Sequence, residues 1–435
     1  MTHSTKPATP TTPPTPAPPA DDAARHNLFV ARQPIFDRHR KVVAYELLFR
    51  AGTHNAFAHA DGSQATRQTV NTTLNVMGLQ RLVGSHRAFV NVTRDLLLSD
   101  FCHVLPADQT VIELLEDITI DDAVVDACKR LKKAGYTLAL DDIVLQPKSY
   151  RLLEIADLVK VDLMTTSLAE SRTLMAEFGR PGLSFLAEKV ETHEQFQQSV
   201  QLGYRYFQGY FFCKPEILSD RVIPASKQHY LMLLNEVTRP VIDFVTLEQA
   251  IRLEPDLSVK LLRFINASSH GIGETVSSIR QALTLLGEKA LRQWGSLVVM
   301  TALGEDKPVE VVRTCLVRAR FCELIGKQLA VKQSQFDLFL LGMLSMLDAL
   351  LDQPLGVVLG PLPVNRHIKS ALLGDSTPLA KVLMLALARE RGEWQRLTVL
   401  AKLLRVDEPA IAQAYVDAVA WTDATVSGTA AGATD

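Results

Sequence analysis

Between Leu28 and Pro215, short apolar runs alternate with segments of helical periodicity. The runs are LFVARQPIF, VVAYELLFR, AFVNV, TVIELLE, TLALDDI, LVKVDL, SFLAEKVE and YRYFQGYFF. They are rich in β-branched and aromatic residues, which favour strands. Segments between them, such as SQATRQTVNTTLNVMGLQRLV and IDDAVVDACKRLKKAG, carry apolar residues at helical spacing. Only DRHRK joins the first two runs, in the manner of a hairpin turn. Strands and helices alternating in this way predict a βα (TIM-like) barrel with one irregular connection at its start. Near-continuous apolar strands also suit a parallel sheet covered on both faces.

From Ala225 the pattern changes. ASKQHYLMLLNEVTR, TLEQAIRLEPDLSVKLLRFINASS, SSIRQALTLLGEKALRQWGSLVVMTAL and PVEVVRTCLVRARFCELIGKQLA all repeat with helical period. Thr246 to Gln249 has the form of a capping box. The most apolar segment, FDLFLLGMLSMLDALL, carries Asp337 and Asp348. Charge at mid-membrane is costly, so this reads as a buried core helix and no membrane span is expected. The predicted class is therefore α/β plus all-α. A barrel over residues 28–216 precedes a helical domain over 217–421, with the boundary near Lys214 to Ala225. Residues 1–27 form a Pro/Thr-rich tail expected to be disordered, and 422–435 a flexible one. The first segment lacks the apolar core of a signal peptide, so a cytoplasmic location is expected.

Composition adds limits. The 435 residues are 47% hydrophobic, ample for large cores, and 22% charged with a net charge of -2. That balance offers no general electrostatic reason to bind nucleic acid. The five cysteines, Cys102, Cys128, Cys213, Cys315 and Cys322, form no CxxC pair and read as reduced thiols.

The polar residues of the first half fall at corresponding places. Glu46 interrupts the second run, Asn91 the third and Glu113 the fourth. Asp141 and Asp142 end the fifth. Lys160 and Asp162 lie in the sixth, Glu188 and Glu191 in the seventh, and Gln208 in the eighth. In a βα barrel the C-terminal strand ends converge on one mouth. Two carboxylates about 5 Å apart repel by roughly 3 kcal/mol at an effective dielectric near 20. A crowd of them must raise its pKa values or take up a cation. Oxygen ligands suit Mg²⁺ or Mn²⁺. Asp141 and Asp142 could reach two ions, an arrangement that clamps a phosphodiester and activates water. Lys160 would stabilise developing negative charge or orient that water. Taken singly, each residue has an ordinary explanation: a solvated loop acid, a turn-forming Asn91, an ion-pairing Lys160. The joint pattern across the strands points to a site.

These residues resemble the EAL domain, the cyclic di-GMP phosphodiesterase fold. ARQPIFD resembles the family's opening strand, and YELLFR occupies the place of its E-A-L-L-R, with Glu46 and Arg50. FVNV supplies Asn91, IELLE Glu113 and Glu116, LDDI the paired aspartates, and VKVD Lys160 and Asp162. AEKVET and FQGYFFCKP are similar to the closing motifs. The resemblance implies that Glu46, Asn91, Glu113, Asp141 and Asp142 bind two Mg²⁺ or Mn²⁺ ions. It implies that Lys160 and Glu188 handle the attacking water, with Glu188 the candidate base. Arg50 would hold a phosphate, its planar fork matching two oxygens, and Gln208 and Glu191 would line the site.

There are departures from the family. Its F-G-T-G-Y-S-S-L loop is replaced by IVLQPKSYRLL, without glycine, and its E-G-V-E glycine by Lys189. Leu47 replaces the alanine of E-A-L. The helical half is similar to HDOD domains, relatives of the metal-dependent HD phosphohydrolases. Where those need a His-Asp pair, this chain has Leu347-Asp348, and His229, His270 and His367 are dispersed. Interaction or regulation is thus expected of this half, as in the EAL/HDOD signalling proteins of the YuxH type. Two functions follow. One is a cyclic di-GMP receptor with a protein partner on its helical half and weak or absent catalysis; the other is an active phosphodiesterase. The altered loop leaves a homodimer open.

Overall fold

Each apolar run forms a strand. In a computed structural model the described residues are 28–51, 79–141, 150–213, 224–268, 276–329 and 334–431. The expectations for residues 1–27, Asp142, the following loop, the 214–223 junction, His270 and residues 432–435 lie outside the described residues.

The strands are β1 (Leu28–Asp37), β2 (Val42–Ala51), β3 (Arg87–Val92), β4 (Thr110–Leu114), β5 (Thr137–Leu140), β6 (Leu158–Asp162), β7 (Ser184–Glu188) and β8 (Tyr206–Gln208). They close into a barrel in chain order. β1 runs antiparallel to both its neighbours, β2 and β8, while the pairs from β2–β3 to β7–β8 are parallel. Around the barrel lie α1 (Leu79–Val83), α2 (Arg94–Leu98), α3 (Asp122–Lys133), α4 (Tyr150–Leu153), α5 (Leu168–Phe178) and α6 (His193–Leu202).

The barrel interior is layered. Ile35, Ala44, Phe89, Val111, Ala139, Leu158 and Leu186 form an apolar plug separate from the main core. Side chains two apart share a strand face. One step toward the mouth therefore brings Gln33, Glu46, Asn91, Glu113, Asp141, Lys160 and Glu188 onto that face, and Gln208 follows Tyr206 in the same way. A polar ring thus rests on a dry floor.

The helical half comprises α7 (Ala225–Thr238), α8 (Phe244–Arg252), α9 (Pro255–Ser268), α10 (Ile279–Leu303), α11 (Val309–Gly326), α12 (Gln335–Leu344), α13 (Leu347–Leu351), α14 (Leu355–Leu359), α15 (Arg366–Leu372), α16 (Pro378–Glu390), α17 (Trp394–Leu404) and α18 (Glu408–Ala431). Gly342 lets α12 approach α11 closely, since a Cβ there would meet the Arg318 carbonyl at 2.5 Å. This half seats on β1 and β2. The Arg389 guanidinium donates to the Val30 carbonyl and lies over the rings of Trp394 and Tyr415, 4.9 and 4.4 Å from their centroids. The Tyr45 hydroxyl donates to Glu310 at 2.8 Å.

Some local expectations change. The eighth strand stops at Gln208, because Gly209 (φ 149°) lies against the chain at Val190, where a Cβ would come within 2.1 Å of the carbonyl oxygen. The cap of α8 is Asp243, whose carboxylate accepts the amides of Val245 and Thr246, rather than Thr246 itself. The single helix expected over Phe336 to Leu351 breaks between α12 and α13. Helix α18 continues to Ala431, past the point where a loose tail is expected. Thr422 is fully buried and Asp423 pairs with Arg313 of α11, which holds that stretch down.

The Cys102, Cys128, Cys315 and Cys322 thiols are free and buried, and burial pushes each up to about 12. No helix among the described residues is long and apolar enough to cross a membrane.

Candidate active site

The Lys160 ammonium occupies the centre of the ring. It lies 2.6 Å from Glu113, 2.6 Å from Glu188, 3.4 Å from Glu46 and 3.6 Å from Asp141. β6 delivers it from the middle of a strand whose residues are all buried. Glu46 is fixed from two further sides: Asn91 Nδ2 donates to its Oε1 at 3.0 Å and Gln208 Nε2 to its Oε2 at 2.6 Å. The Asp141 amide donates to the Leu114 carbonyl at 2.9 Å, which extends the β4–β5 ladder up to the acid.

The charges are strongly perturbed. Burial works against ionised Glu46, yet Lys160, Gln208 and Asn91 outweigh it and hold that carboxyl below its ordinary value. Burial, then Glu46, drives Glu113 well above the carboxylate range despite Lys160. Burial raises Glu188 to about 7, with Lys160 opposing and Asp141 adding. Burial disfavours the Lys160 charge, but Glu113, Glu188, Glu46 and Asp141 keep it well above the usual lysine value. One ammonium thus does not neutralise the ring, and protons make up the balance.

This donor set fits a hard divalent cation. Asn91 Oδ1, Glu113 Oε2 and Gln208 Oε1 are buried oxygens without a hydrogen-bond donor, an arrangement that proteins avoid unless something else binds there. Among the described residues no three His, Cys, Asp or Glu side chains already surround a common point, and the Lys160 ammonium lies between the acids. A cation held by these carboxylates would compete with the Lys160 ammonium and with protons on Glu113 and Glu188. The sign follows from Glu188. With a folded pKa near 7 against an ordinary 4.5, its favourable share of stability is full below about 4.5 and is lost as pH rises through 7. Mn²⁺ is therefore expected to raise the unfolding temperature little at pH 5.5 and substantially at pH 8, with proton release on titration. A pH-independent shift would contradict this.

The remaining predicted residues are dispersed. Glu191 is exposed beyond β7, its amide donating to Gln195 at 2.8 Å. Glu116 is exposed. The Arg50 backbone pairs with Phe29 in the β1–β2 ladder, while its side chain and Asp142 lie outside the described residues. Asp162 sits one step nearer the mouth than Lys160 and pairs with Lys189 at 2.5 Å. Lys189 adopts φ 52°, so the left-handed turn that suits glycine persists here. Leu47 is buried in the main core, away from the ring. Asp348 accepts the Ala349 amide at 2.8 Å, and burial raises its pKa. His229 pairs with Glu254 at 2.5 Å. Sequence reasoning overlooked Gln33, although its place two residues from Ile35 on β1 marks it as interior.

Comparison with known proteins agrees with this architecture. The EAL domain family matches residues 20–215, and the HDOD domain family matches residues 223–351. The protein YuxH of Bacillus subtilis is 36% identical over 403 residues, covering 91% of this chain and 98% of that one. The cyclic di-GMP phosphodiesterase CdgJ of Vibrio cholerae is 36% identical over 404 residues, covering 91% and 93%. Among solved structures, Klebsiella pneumoniae BlrP1 in a manganese/cyclic di-GMP complex is 25% identical, with a TM-score of 0.37 over 42% of this chain and 55% of that one. The first half is an EAL domain. The whole chain belongs to the two-domain proteins in which an EAL domain precedes an HDOD domain.

Proposed function

We propose that the barrel binds cyclic di-GMP with divalent cations and hydrolyses one of its phosphodiester bonds, under the control of the helical half. The observation that carries this is the Lys160–Glu188 pair, 2.6 Å apart, inside a ring of oxygen ligands. The relationship to CdgJ supports the choice of nucleotide. Glu46, Asn91, Glu113 and Asp141, with Asp142, are the residues for Mg²⁺ or Mn²⁺. Bound there, the cations would neutralise phosphoryl oxygens and acidify a water. Glu188, beside Lys160 at 2.6 Å, is the carboxylate assigned to take a proton from water. Lys160 stays protonated and faces the charge that builds on phosphorus-bound oxygen. Attack forms one P–O bond and breaks another, and the departing ribose oxygen takes up a proton to leave the linear dinucleotide. Arg50 is assigned to a phosphate, and Gln208 and Glu191 to lining the nucleotide.

Lys189 adopts φ 52°, a left-handed conformation open to glycine as well, and this favours hydrolysis over weak or absent catalysis. A second reading remains: a cyclic di-GMP receptor that signals through a partner of the helical half. The glycine-free sequence IVLQPKS after Asp142 favours it.

Purified protein is mixed with cyclic di-GMP and Mn²⁺, and linear product is measured. Hydrolysis is expected, and Glu46→Ala is expected to lower it at least about 100-fold. Binding without turnover would instead establish the receptor. Asp141→Asn is expected to weaken Mn²⁺ binding, and an unchanged titration would refute the ligand assignment.

A further inference from the structure

Pairing of β1 with β2 places Gln33 directly across from Glu46. Four contacts from the helical half surround this pair. Arg389 reaches the Val30 carbonyl, the Arg391 carbonyl receives Gln33 Nε2 at 3.2 Å, and Glu310 receives the Tyr45 hydroxyl at 2.8 Å. Gly392 lies against Leu48, whose Cδ1 would be 2.8 Å from an added Cβ.

One of these contacts opens a chain into the site. Gln33 Oε1 accepts from Gln208 Nε2 at 2.9 Å, and the same Nε2 donates to Glu46 Oε2 at 2.6 Å. Both ends of the chain are pure acceptors, a backbone carbonyl and a carboxylate. They fix the sense of both amides between them. Gln33 must turn its NH₂ to the helical half and its oxygen to Gln208, so that Gln208 turns its own NH₂ to Glu46. If the Arg391 carbonyl withdraws, Gln33 is held only through its oxygen by Gln208, and the acceptor that helps aim the Gln208 NH₂ at Glu46 is less firmly placed.

A second link runs along β2. Tyr45 and Glu46 are neighbours on opposite faces, and Glu310 holds Tyr45 by its hydroxyl. Both links start from helices that are bonded to one another. Glu310 begins α11, and Arg318, about two turns further on, makes paired bonds to Glu390 at 2.9 and 2.7 Å. Glu390 ends α16 and immediately precedes Arg391. This ion pair ties the two helices, and so the two links, to each other.

We propose that the helical half positions Glu46, with Gln33 and Tyr45 as positioning residues that couple the seating of α11 and α16 on the barrel to its affinity for divalent cations. This rests on the cation-binding reading above. By linkage, whatever lifts this unit from β1 and β2 weakens cation binding, and cation binding favours the seated state.

The test measures Mn²⁺ binding to the full chain by isothermal titration for the wild type, Gln33→Leu, Tyr45→Phe, Glu310→Gln and the Tyr45→Phe/Glu310→Gln double variant. Gln33→Leu is expected to weaken Mn²⁺ about tenfold. Tyr45→Phe is nearly isosteric and keeps the interpretation open if Gln33→Leu fails to fold. It and Glu310→Gln are each expected to weaken binding about threefold, and the double variant no further, because both alter one bond. Lower thermal stability with unchanged Mn²⁺ affinity in all variants overturns the proposal, since the contacts then merely hold the halves together. If the wild type takes up no Mn²⁺, the cation reading fails, and hydrogen exchange of the amides from Tyr45 to Leu48 decides. Faster exchange in Gln33→Leu and Tyr45→Phe supports positioning, and unchanged exchange overturns it.

Discussion

Replacing Lys160 with methionine is expected to destabilise the cation-free protein by about 3–5 kcal/mol at pH 8, the range for breaking a buried ion cluster by removing one partner. The side chains are similar in length, so the apolar stem is conserved and the ammonium alone is lost. Its four carboxylate neighbours within 3.6 Å would then repel one another with no cation between them. Protons offer the only relief, so the penalty should shrink at pH 6 and grow at pH 8. Mn²⁺ supplies the missing charge from outside and should restore much of the loss. It should also bind at least as tightly as to the wild type, because the competing ammonium has gone. Turnover should nonetheless fall about 10²- to 10³-fold, as when one charge-stabilising donor is removed from an active site. Thermal unfolding at both pH values, with chelator and with Mn²⁺, separates these effects. A variant equally unstable with and without Mn²⁺ would show that the ring does not take cations.

How far this site was legible depends on strand periodicity. Phe89 and Asn91, Val111 and Glu113, and Leu158 and Lys160 are each two apart, so an apolar interior residue followed by a polar one can be read along the chain. Their meeting in one ring follows from barrel closure, which the alternation of runs predicts. The electrostatic state does not follow. Nothing local says that Lys160, and not solvent, fills the space between Glu113 and Glu188. The short β8 depends on how closely Gly209 passes Val190, a tertiary contact. The part of α18 beyond Thr422 reads as a loose tail because its composition is poor in packing residues, yet Thr422 is buried and the adjoining Trp421 meets Phe339 with ring centroids 6.2 Å apart. The links between the halves join residues as distant as Val30 and Arg389, 359 positions apart, and no pattern along one strand or helix encodes them.

Arg389→Met tests whether those halves form one folding unit. Arg389 is 1% exposed. Its guanidinium lies over two aromatic rings and donates to the Val30 carbonyl across the boundary. Methionine fills part of the volume but donates no hydrogen bond. The Val30 carbonyl would lose a charged donor, at a cost of about 1–3 kcal/mol. Two desolvated cation–π contacts would go with it, each about 2 kcal/mol in such surroundings. Thioether contacts with the same rings return part of this, about 0.3–1.5 kcal/mol. The expected net loss is about 3.5–7 kcal/mol, concentrated where the helical half meets β1. Unfolding of the wild type, followed by calorimetry, is expected to give a single transition. The variant is expected to unfold in two steps, because the barrel keeps an apolar plug of its own while the core shared by the two halves is weakened at β1. Mn²⁺ should then shift the barrel's transition and leave the helical one in place. A single transition lowered as a whole would mean that the core passes through the boundary without a seam, and that Arg389 is one packing residue among many.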